Sequence, residues 1–153
     1  MSDILVEVWQ LARDEDGHDV LLLRDDRGRV LPILIGVCEA AAIWVALAPD
    51  QARPFVRRPW SHDLLLNMIE QLGAHLDRVV IDGFVNDVFL ATLHLTHGEG
   101  EFVVDVRPSD GIALLLRAAA PLYVNNEVMD DEAAFPENGD EGEDATDNGD
   151  ELI

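Results

Sequence analysis

Residues 101–116, with the sequence Glu-Phe-Val-Val-Asp-Val-Arg-Pro-Ser-Asp-Gly-Ile-Ala-Leu-Leu-Leu, predict a strand that passes directly into a helix. Phe102, Val104 and Val106 alternate with the residues of the other face, which is the period of a strand with one buried face. Pro108 ends the alternation and favours the first helical position, since its ring fixes a helical φ. The apolar residues that follow recur at helical spacing: Ile112, Leu115, Leu116 and Ala119.

Four polar residues gather at this strand-to-helix junction: Asp105, Arg107, Ser109 and Asp110. Asp105 and Arg107 are two positions apart, so on a strand they point the same way and can pair. Asp110 falls in the first helical turn, where free N–H groups and the helix dipole favour an anion. The pattern suits a functional site, but from local pattern alone a structural helix start is the favoured interpretation.

The composition is strongly acidic. The 153 residues hold 31 acids and 10 bases, all of them Arg, for a net charge of -21. Twelve of the acids lie in residues 125–153, which contain no base, so residues 1–124 keep 19 acids and ten bases, a net charge of -9. Because concentrated salt shortens screening to about 3 Å, an acidic surface without Lys predicts adaptation to high salt.

The chain divides by composition into a domain and a tail. Residues 1–129 contain the apolar patterns and are long enough to bury one core. Residues 130–153 are dominated by Asp and Glu, with Gly and Asn, and contain no base. Such a segment buries too little apolar surface to offset its ordering entropy, so we expect a disordered acidic tail.

Three observations predict a cytoplasmic location without a membrane contact. Cys38 is the single cysteine and lies in an apolar run, which predicts an inert core thiol. No signal peptide is visible in the opening residues. Residues 30–49 are nearly all apolar, but Pro32, Gly36 and Glu39 interrupt them, which favours a strand and a buried helix over a membrane span.

The remaining patterns predict an α+β fold with a mostly antiparallel sheet and helices on one side. Pro32 should place its strand at an edge or a bulge. Residues 49–60 predict a surface loop, and Ser61 a helix cap. The predicted buried stripe of that helix is Leu64, Leu65, Met68, Ile69 and Leu72. The predicted strands are 4–11, 20–24, 30–35, 76–81, 88–96, 101–107 and 122–124, and the other helices are 37–48 and 108–119.

The order strand-strand-strand-helix occurs twice. A shift of 71 residues places Glu39 on Asp110, so both halves carry a carboxylate in a first helical turn. This coincidence predicts a paired site where the two strand-to-helix corners meet.

Several phrases together resemble the bifunctional nuclease domain family over residues 3–129. They are Leu-Pro-Ile-Leu-Ile-Gly at 31–36 leading to Glu39, Arg-Pro-Trp-Ser-His-Asp-Leu-Leu at 58–65, Asp-Val-Arg-Pro-Ser-Asp-Gly-Ile-Ala-Leu at 105–114, and Ala-Pro-Leu-Tyr-Val at 120–124. The resemblance implies a bent, half-barrel-like sheet built from two repeats, self-association as a dimer or larger homo-oligomer, and nuclease activity on RNA and DNA.

A nuclease of this kind would draw its site from the polar residues of these phrases. Glu39, Asp63, Asp105 and Asp110 are the candidate ligands for Mg²⁺ or Mn²⁺, through one or two carboxylates and waters. His62 is the candidate general base or acid, and Arg107 the group that stabilises charge on phosphate. Ser109 and Asp110 complete the candidate catalytic set.

Two other functions stay open. A non-catalytic oligomeric module would bind a small anion or a protein partner at the junction, with Arg107, Arg58 and two helix N-termini forming the anion site. A hydrolase with Ser109 or Cys38 as nucleophile lacks a nucleophile elbow. A net charge of -9 in residues 1–124 also predicts weak binding of nucleic acid, because phosphate affinity comes from basic contacts.

Overall fold

The computed structural model describes residues 2–137 and contains one mixed sheet with helices. The strands are β1 (Asp3–Arg13), β2 (Asp19–Asp25), β3 (Val30–Leu34), β4 (Ala74–Val85), β5 (Val88–His97), β6 (Gly100–Val106) and β7 (Leu122–Asn125). The helices are α1 (Val37–Leu47), α2 (Pro49–Ala52), α3 (Ser61–Gln71), α4 (Pro108–Ala118) and α5 (Asn126–Glu132), with a 3₁₀ turn at Arg53–Phe55.

The sheet has seven strands in the order β3-β2-β1-β7-β4-β5-β6. Every neighbouring pair is antiparallel except β4 and β7, which are parallel. Three consecutive strands therefore lie on each side of β7, and each group of three is followed by a helix. This arrangement confirms the predicted α+β class and the mostly antiparallel sheet.

Strand β7 joins the two groups of strands. Its residues Leu122–Asn125 pair with β1 on one side, where Asp3 faces Asn125. On the other side Leu122 faces Val79 of β4. Ala119, with a φ of 53°, ends α4 in the left-handed region and turns the chain toward this central position.

The core consists of alternating strand residues packed under α4. In β2 and β3 the buried residues are Leu21, Leu23, Leu31 and Ile33. From α4, Ile112 and Ala113 are fully buried. A Cβ on Gly111 would lie 2.9 Å from Val79 Cγ1, so this glycine lets the first turn of α4 lie close against the sheet.

Strand β3 is an edge strand, as Pro32 predicts. It pairs with β2 alone among the named strands of residues 2–137, so the missing N–H of Pro32 does not interrupt a central ladder. A single bridge between Val30 and Ala134 covers its start.

The strand predicted at residues 101–107 is present as β6, but its predicted buried face is wrong. Phe102 and Val104 were expected to be buried, but they are 53% and 46% exposed, and only Val106 is partly buried. The reason is position: β6 is the outermost strand on its side, and α4 packs over β4 and β5.

Helix α3 also differs from its prediction. Of the five residues predicted to be buried, Ile69 is partly buried. The other four are exposed, from 45% for Leu65 to 72% for Leu72: Leu64, Leu65, Met68 and Leu72. The helix turns its other face inward, where Leu66 is buried and His62 is largely covered. Contacts of α3 with α4 and β4 fix this orientation.

Three further local expectations are wrong. Residues 49–60 contain α2 and the 3₁₀ turn rather than a plain loop. Ser61 is the first residue of α3, and Trp60 is the cap, with its N–H donating to Asp63 Oδ2 at 2.8 Å. Cys38 is exposed at the start of α1 and not in the core.

The described structure runs beyond residue 129. Helix α5 continues to Glu132, and Asp130 accepts a hydrogen bond from the buried Arg29 at 2.9 Å. Residues 138–153 of the predicted acidic tail lie outside the described residues. Within residues 2–137, no helix is long and apolar enough to cross a membrane.

Candidate active site

The candidate site forms where the first turns of α1 and α4 meet. Glu39 is the third residue of α1, and Asp110 is the third residue of α4. Arg107, the cap residue of α4, lies between them: its Nη2 donates to Glu39 Oε1 at 2.6 Å, and its Nε donates to Asp110 Oδ2 at 2.8 Å. The two residues aligned by the internal repeat therefore bind one guanidinium.

The Glu39 carboxylate is folded back over the start of its own helix. Its own backbone N–H lowers the pKa of Glu39, and the hydrogen bond from Arg107 lowers it further. A Cβ on Gly36 would overlap Glu39 Oε2. Gly36 therefore leaves room for the carboxylate in the position where it accepts from Arg107.

Asp110 also contacts His62, which reaches the cluster from α3. His62 Nε2 lies 2.9 Å from Asp110 Oδ1, and the His62 side chain is only 12% exposed. Burial alone raises the pKa of Asp110, but hydrogen bonds from Arg107 and His62 outweigh burial and hold that pKa below its usual value. Asp110 is thus ionised at neutral pH and accepts from both neighbours.

The guanidinium of Arg107 keeps its charge and an open side. The hydrogen bonds from Arg107 to Asp110 and Glu39 raise the pKa of Arg107. Its side chain is 65% exposed. Two carboxylates and one guanidinium leave the cluster with a net charge of -1 when His62 is neutral, so an anionic ligand must approach from the Arg107 side.

Asp63 pairs with Arg117 and not with the metal ion predicted for it. Burial raises the pKa of Asp63, but the Trp60 N–H and Arg117 more than offset burial and lower the pKa. Arg117 Nε donates to Asp63 Oδ1 at 2.7 Å, and Arg117 Nη1 donates to the Ala113 carbonyl at 2.8 Å. Asp63 therefore joins α3 to α4 next to His62.

Arg117 is a further residue of this region, and no motif in the sequence predicted it. Its side chain is 8% exposed, and its Nη2 is buried without a partner in residues 2–137. The available signal was a single charged residue in the otherwise apolar run 111–120. A base in such a run requires a buried acceptor, because an unpaired buried charge is costly.

Asp105 and Ser109 lie apart from the cluster just described. Asp105 is exposed on β6, and no side-chain hydrogen bond or ion pair of Asp105 is found in the part of the chain that the structure describes. Arg107 pairs with Glu39 and Asp110 instead of Asp105. Ser109 is 7% exposed and faces a cavity beside Arg107.

The four predicted metal ligands do not form a ready site. Asp63 is bound to Arg117, Asp105 stands alone, and Arg107 occupies the space between Glu39 and Asp110. Among residues 2–137, the one group of three or more possible ligands with atoms within 4.8 Å of one another is Asp14, Asp16 and His18, exposed in the β1–β2 turn. The residues at the cluster therefore do not fit a divalent ion as they stand.

Two cavities flank the cluster. One of about 420 Å³ is lined by Glu39, His62, Cys38 and Trp60. The other, of about 480 Å³, lies beyond Arg107 and is lined mainly by apolar residues of β3, β4 and β5. A cavity of about 610 Å³ beside α1 contains none of the predicted site residues.

Comparison with known proteins assigns most of the chain to one family. Residues 20–137 match the bifunctional nuclease domain. An uncharacterized protein of Mycobacterium tuberculosis is 41% identical over 111 residues, covering 72% of this chain and 63% of the relative. Bifunctional nuclease 1 of Oryza sativa subsp. indica is 28% identical over 119 residues, covering 76% of this chain and 35% of the relative.

A second plant protein shows the same partial overlap. Bifunctional nuclease 2 of Arabidopsis thaliana is 28% identical over 109 residues, covering 69% of this chain and 32% of the relative. The chain thus spans less than two thirds of the length of the mycobacterial protein and about one third of the plant proteins.

Proposed function

We propose that this chain, which belongs to the bifunctional nuclease domain family, hydrolyses phosphodiester bonds of RNA, DNA or both at the cluster of Glu39, His62, Arg107 and Asp110. The plant relatives are named as nucleases, which supports the reaction class. The observation that carries the proposal is the continuous chain of contacts from His62 through Asp110 and Arg107 to Glu39. This chain of contacts joins His62, the proposed proton-transfer group, to Arg107, the proposed phosphate-binding group.

His62 is the proposed general base or acid. Because ionised Asp110 can only accept, the His62 Nε2 atom must carry the hydrogen between them. The other ring nitrogen, Nδ1, then has a free lone pair when the ring is neutral and can take a proton from water. Asp110 holds the ring in this tautomer, as an orienting carboxylate does in other acid–base pairs.

Arg107 is the proposed phosphate-binding group. A guanidinium has five N–H donors, and the bonds to Asp110 and Glu39 use two of them. The remaining three donors are available on a side chain that is 65% exposed. They can bind phosphate oxygens and stabilise the charge that develops during hydrolysis. Glu39 fixes the guanidinium at the cluster.

The predicted Mg²⁺ or Mn²⁺ takes no step in this proposal. Glu39 and Asp110 are acceptable ligands for such an ion, but they would first have to release Arg107. A chelator in the activity assay tests the prediction directly. Loss of activity in EDTA would show that an ion takes part.

The test is cleavage of RNA and plasmid DNA in concentrated KCl, with Mg²⁺ or Mn²⁺ and with EDTA. Loss of a general acid or base costs about 10²- to 10⁴-fold in rate, so we expect His62→Ala and Asp110→Ala to lose that much. Asp105→Ala is the matched control, since Asp105 is an exposed acid outside the cluster, and should keep full activity. Equal activity in all three variants contradicts the proposal.

The second candidate is the non-catalytic module that binds a small anion. The three free donors on the exposed Arg107 guanidinium support it, because they can bind a small anion without any hydrolysis. Glu39 and Asp110 already occupy both helix starts. No hydrogen bond or ion pair joins the exposed Arg58 to the cluster within residues 2–137, so Arg107 remains the main anion contact. Phosphate binding to a folded protein that cleaves neither RNA nor DNA supports this candidate.

We also propose that the chain self-associates through the exposed face of α3. Leu64, Leu65 and Met68 of α3 and Leu72, the residue that ends it, are all exposed apolar side chains, which a monomer rarely leaves together in water. Light scattering on Met68→Glu should show a smaller species than the parent protein. Asn67→Glu, also exposed on α3, is the control and should leave the mass unchanged. An unchanged mass for Met68→Glu places the contact elsewhere.

A further inference from the structure

We propose that the cavity between β3 and the β4–β5 hairpin binds an unpaired nucleobase of the substrate strand, and that the protein therefore prefers single-stranded nucleic acid. The proposal rests on the proposed function for the phosphate at Arg107. The cavity has a volume of about 480 Å³. That volume lies within the range of about 300–1,000 Å³ for small-molecule sites.

The walls of the cavity suit a flat, apolar group. Ile33 and Ile35 line it from β3 and the residue after that strand, and Phe84 and Phe89 line it from the β4–β5 hairpin. The two phenylalanines face each other across the β4–β5 pair with ring centroids 4.4 Å apart, and both are only half-buried. A nucleobase can stack on such rings whatever its sequence, since every base has a π-face.

One base and one acid of the lining set the direction of the ligand. Arg107 lines the cavity at the start of α4, together with Ser109. Asp87, in the β4–β5 turn, lines it as well. A phosphate is attracted to Arg107 and repelled by Asp87, so the part of a nucleotide inside the cavity must be uncharged. The base meets this requirement.

Ser109 supplies a further polar contact in the cavity that Arg107 lines. Its side chain is nearly buried and borders the cavity, and no hydrogen bond of its hydroxyl is found in residues 2–137. A hydroxyl can donate or accept, so it suits a sugar oxygen or a phosphate oxygen placed beside Arg107. Ser109 is in this proposal a binding residue and not a nucleophile.

The second cavity takes the reacting end of the substrate. It contains Glu39 and His62, the groups that the proposed reaction uses, so the scissile phosphate belongs there. A strand that crosses Arg107 places its scissile phosphate beside His62 and its next base among the phenylalanines. A base in a duplex is stacked and paired, and it must leave the helix to enter the cavity. Single strands avoid that cost.

The test is binding of adenosine 5′-monophosphate and of inorganic phosphate to the full chain, measured by calorimetry at fixed KCl. Removing one base-stacking aromatic ring weakens binding by about 5- to 150-fold. Phe84→Leu and Phe89→Leu should therefore lose at least about fivefold in affinity for the nucleotide and keep the affinity for phosphate. Phe55→Leu and Phe102→Leu are the controls, since both rings are exposed outside the cavity, and should bind as the parent.

Equal binding of nucleotide and phosphate, or equal nucleotide binding in all four variants, overturns the inference. Cleavage assays keep it separate from the proposed function. Nucleotide binding that depends on Phe84 in a protein without nuclease activity supports the base site and contradicts the nuclease. Nuclease activity that cleaves single strands and duplexes at the same rate, unchanged by Phe84→Leu, supports the nuclease and contradicts the base site.

Discussion

Asp110→Asn is the substitution that tests the cluster most directly, because it removes the charge shared by Arg107 and His62 while keeping the side-chain shape. The pair with Arg107 is largely exposed, and such pairs contribute about 0.2–1 kcal/mol. The contact with His62 is partly buried and contributes about 0.5–1.5 kcal/mol. We expect the free energy of unfolding at pH 7 to fall by about 1–2 kcal/mol.

The loss should depend on pH with a definite sign. The folded protein holds the pKa of Asp110 below the ordinary value of 3.8, so the carboxylate stabilises the fold above pH 3.8. That stabilisation disappears as the pH falls through the folded pKa. The difference between the parent protein and Asp110→Asn should therefore be full at pH 7 and shrink as the pH falls below 3.8.

The measurement is urea unfolding followed by circular dichroism at several pH values and constant KCl. Asp105→Asn is the matched control, since the same change on an exposed strand should stay within about 0.5 kcal/mol. In thermal unfolding the expected loss corresponds to about 2–8 °C. A cost for Asp110→Asn no larger than that for Asp105→Asn, or one that is constant with pH, refutes the structural reasoning.

Three other predictions concern neighbouring features. Gly36→Ala should displace the flexible Glu39 side chain from Arg107 and so raise the pKa of Glu39 toward 4.5 in an NMR titration, whereas an unchanged pKa contradicts this. The free energy of unfolding should fall by less than about 1 kcal/mol. Arg117→Met should cost about 2–4 kcal/mol in urea unfolding because it leaves Asp63 without its buried partner, whereas the exposed Arg13→Met should cost less than about 0.5 kcal/mol; similar losses would contradict the assignment. The melting temperature should rise between 0.1 M and 2 M KCl because salt screens the acidic surface, and a maximum at low salt would exclude adaptation to high salt.

The fold could be predicted from the sequence where a single segment determines the outcome. Alternation, turn residues and Pro32 located the strands and placed β3 at an edge. The burial of α3 could not be predicted in this way, because two faces of that helix carry apolar residues. Contacts of His62 with Asp110 and of Asp63 with Arg117 orient the helix, and they join residues 48 and 54 positions apart.

In the candidate site, too, local patterns predicted some contacts and missed those that join distant residues. The internal repeat predicted that Glu39 and Asp110 would belong to one paired site, and both bind Arg107. The pairing of Asp105 with Arg107 failed because β6 ends at Val106. Arg107 has already left the strand as the cap of α4, so residues two apart no longer share a face. His62 comes from outside the repeats, and no local pattern connects it to Asp110.

The central position of β7 has a consequence for biosynthesis. As the polypeptide leaves the ribosome, both three-stranded units can assemble before Leu122 emerges, but β1 and β4 each keep an unsatisfied backbone edge until then. Exposed edges of this kind recruit strands from other molecules. A ribosome that stalls between the codons for Ala118 and Leu122 would therefore release a fragment with two unpaired strand edges. Such a fragment should aggregate although it contains six of the seven strands.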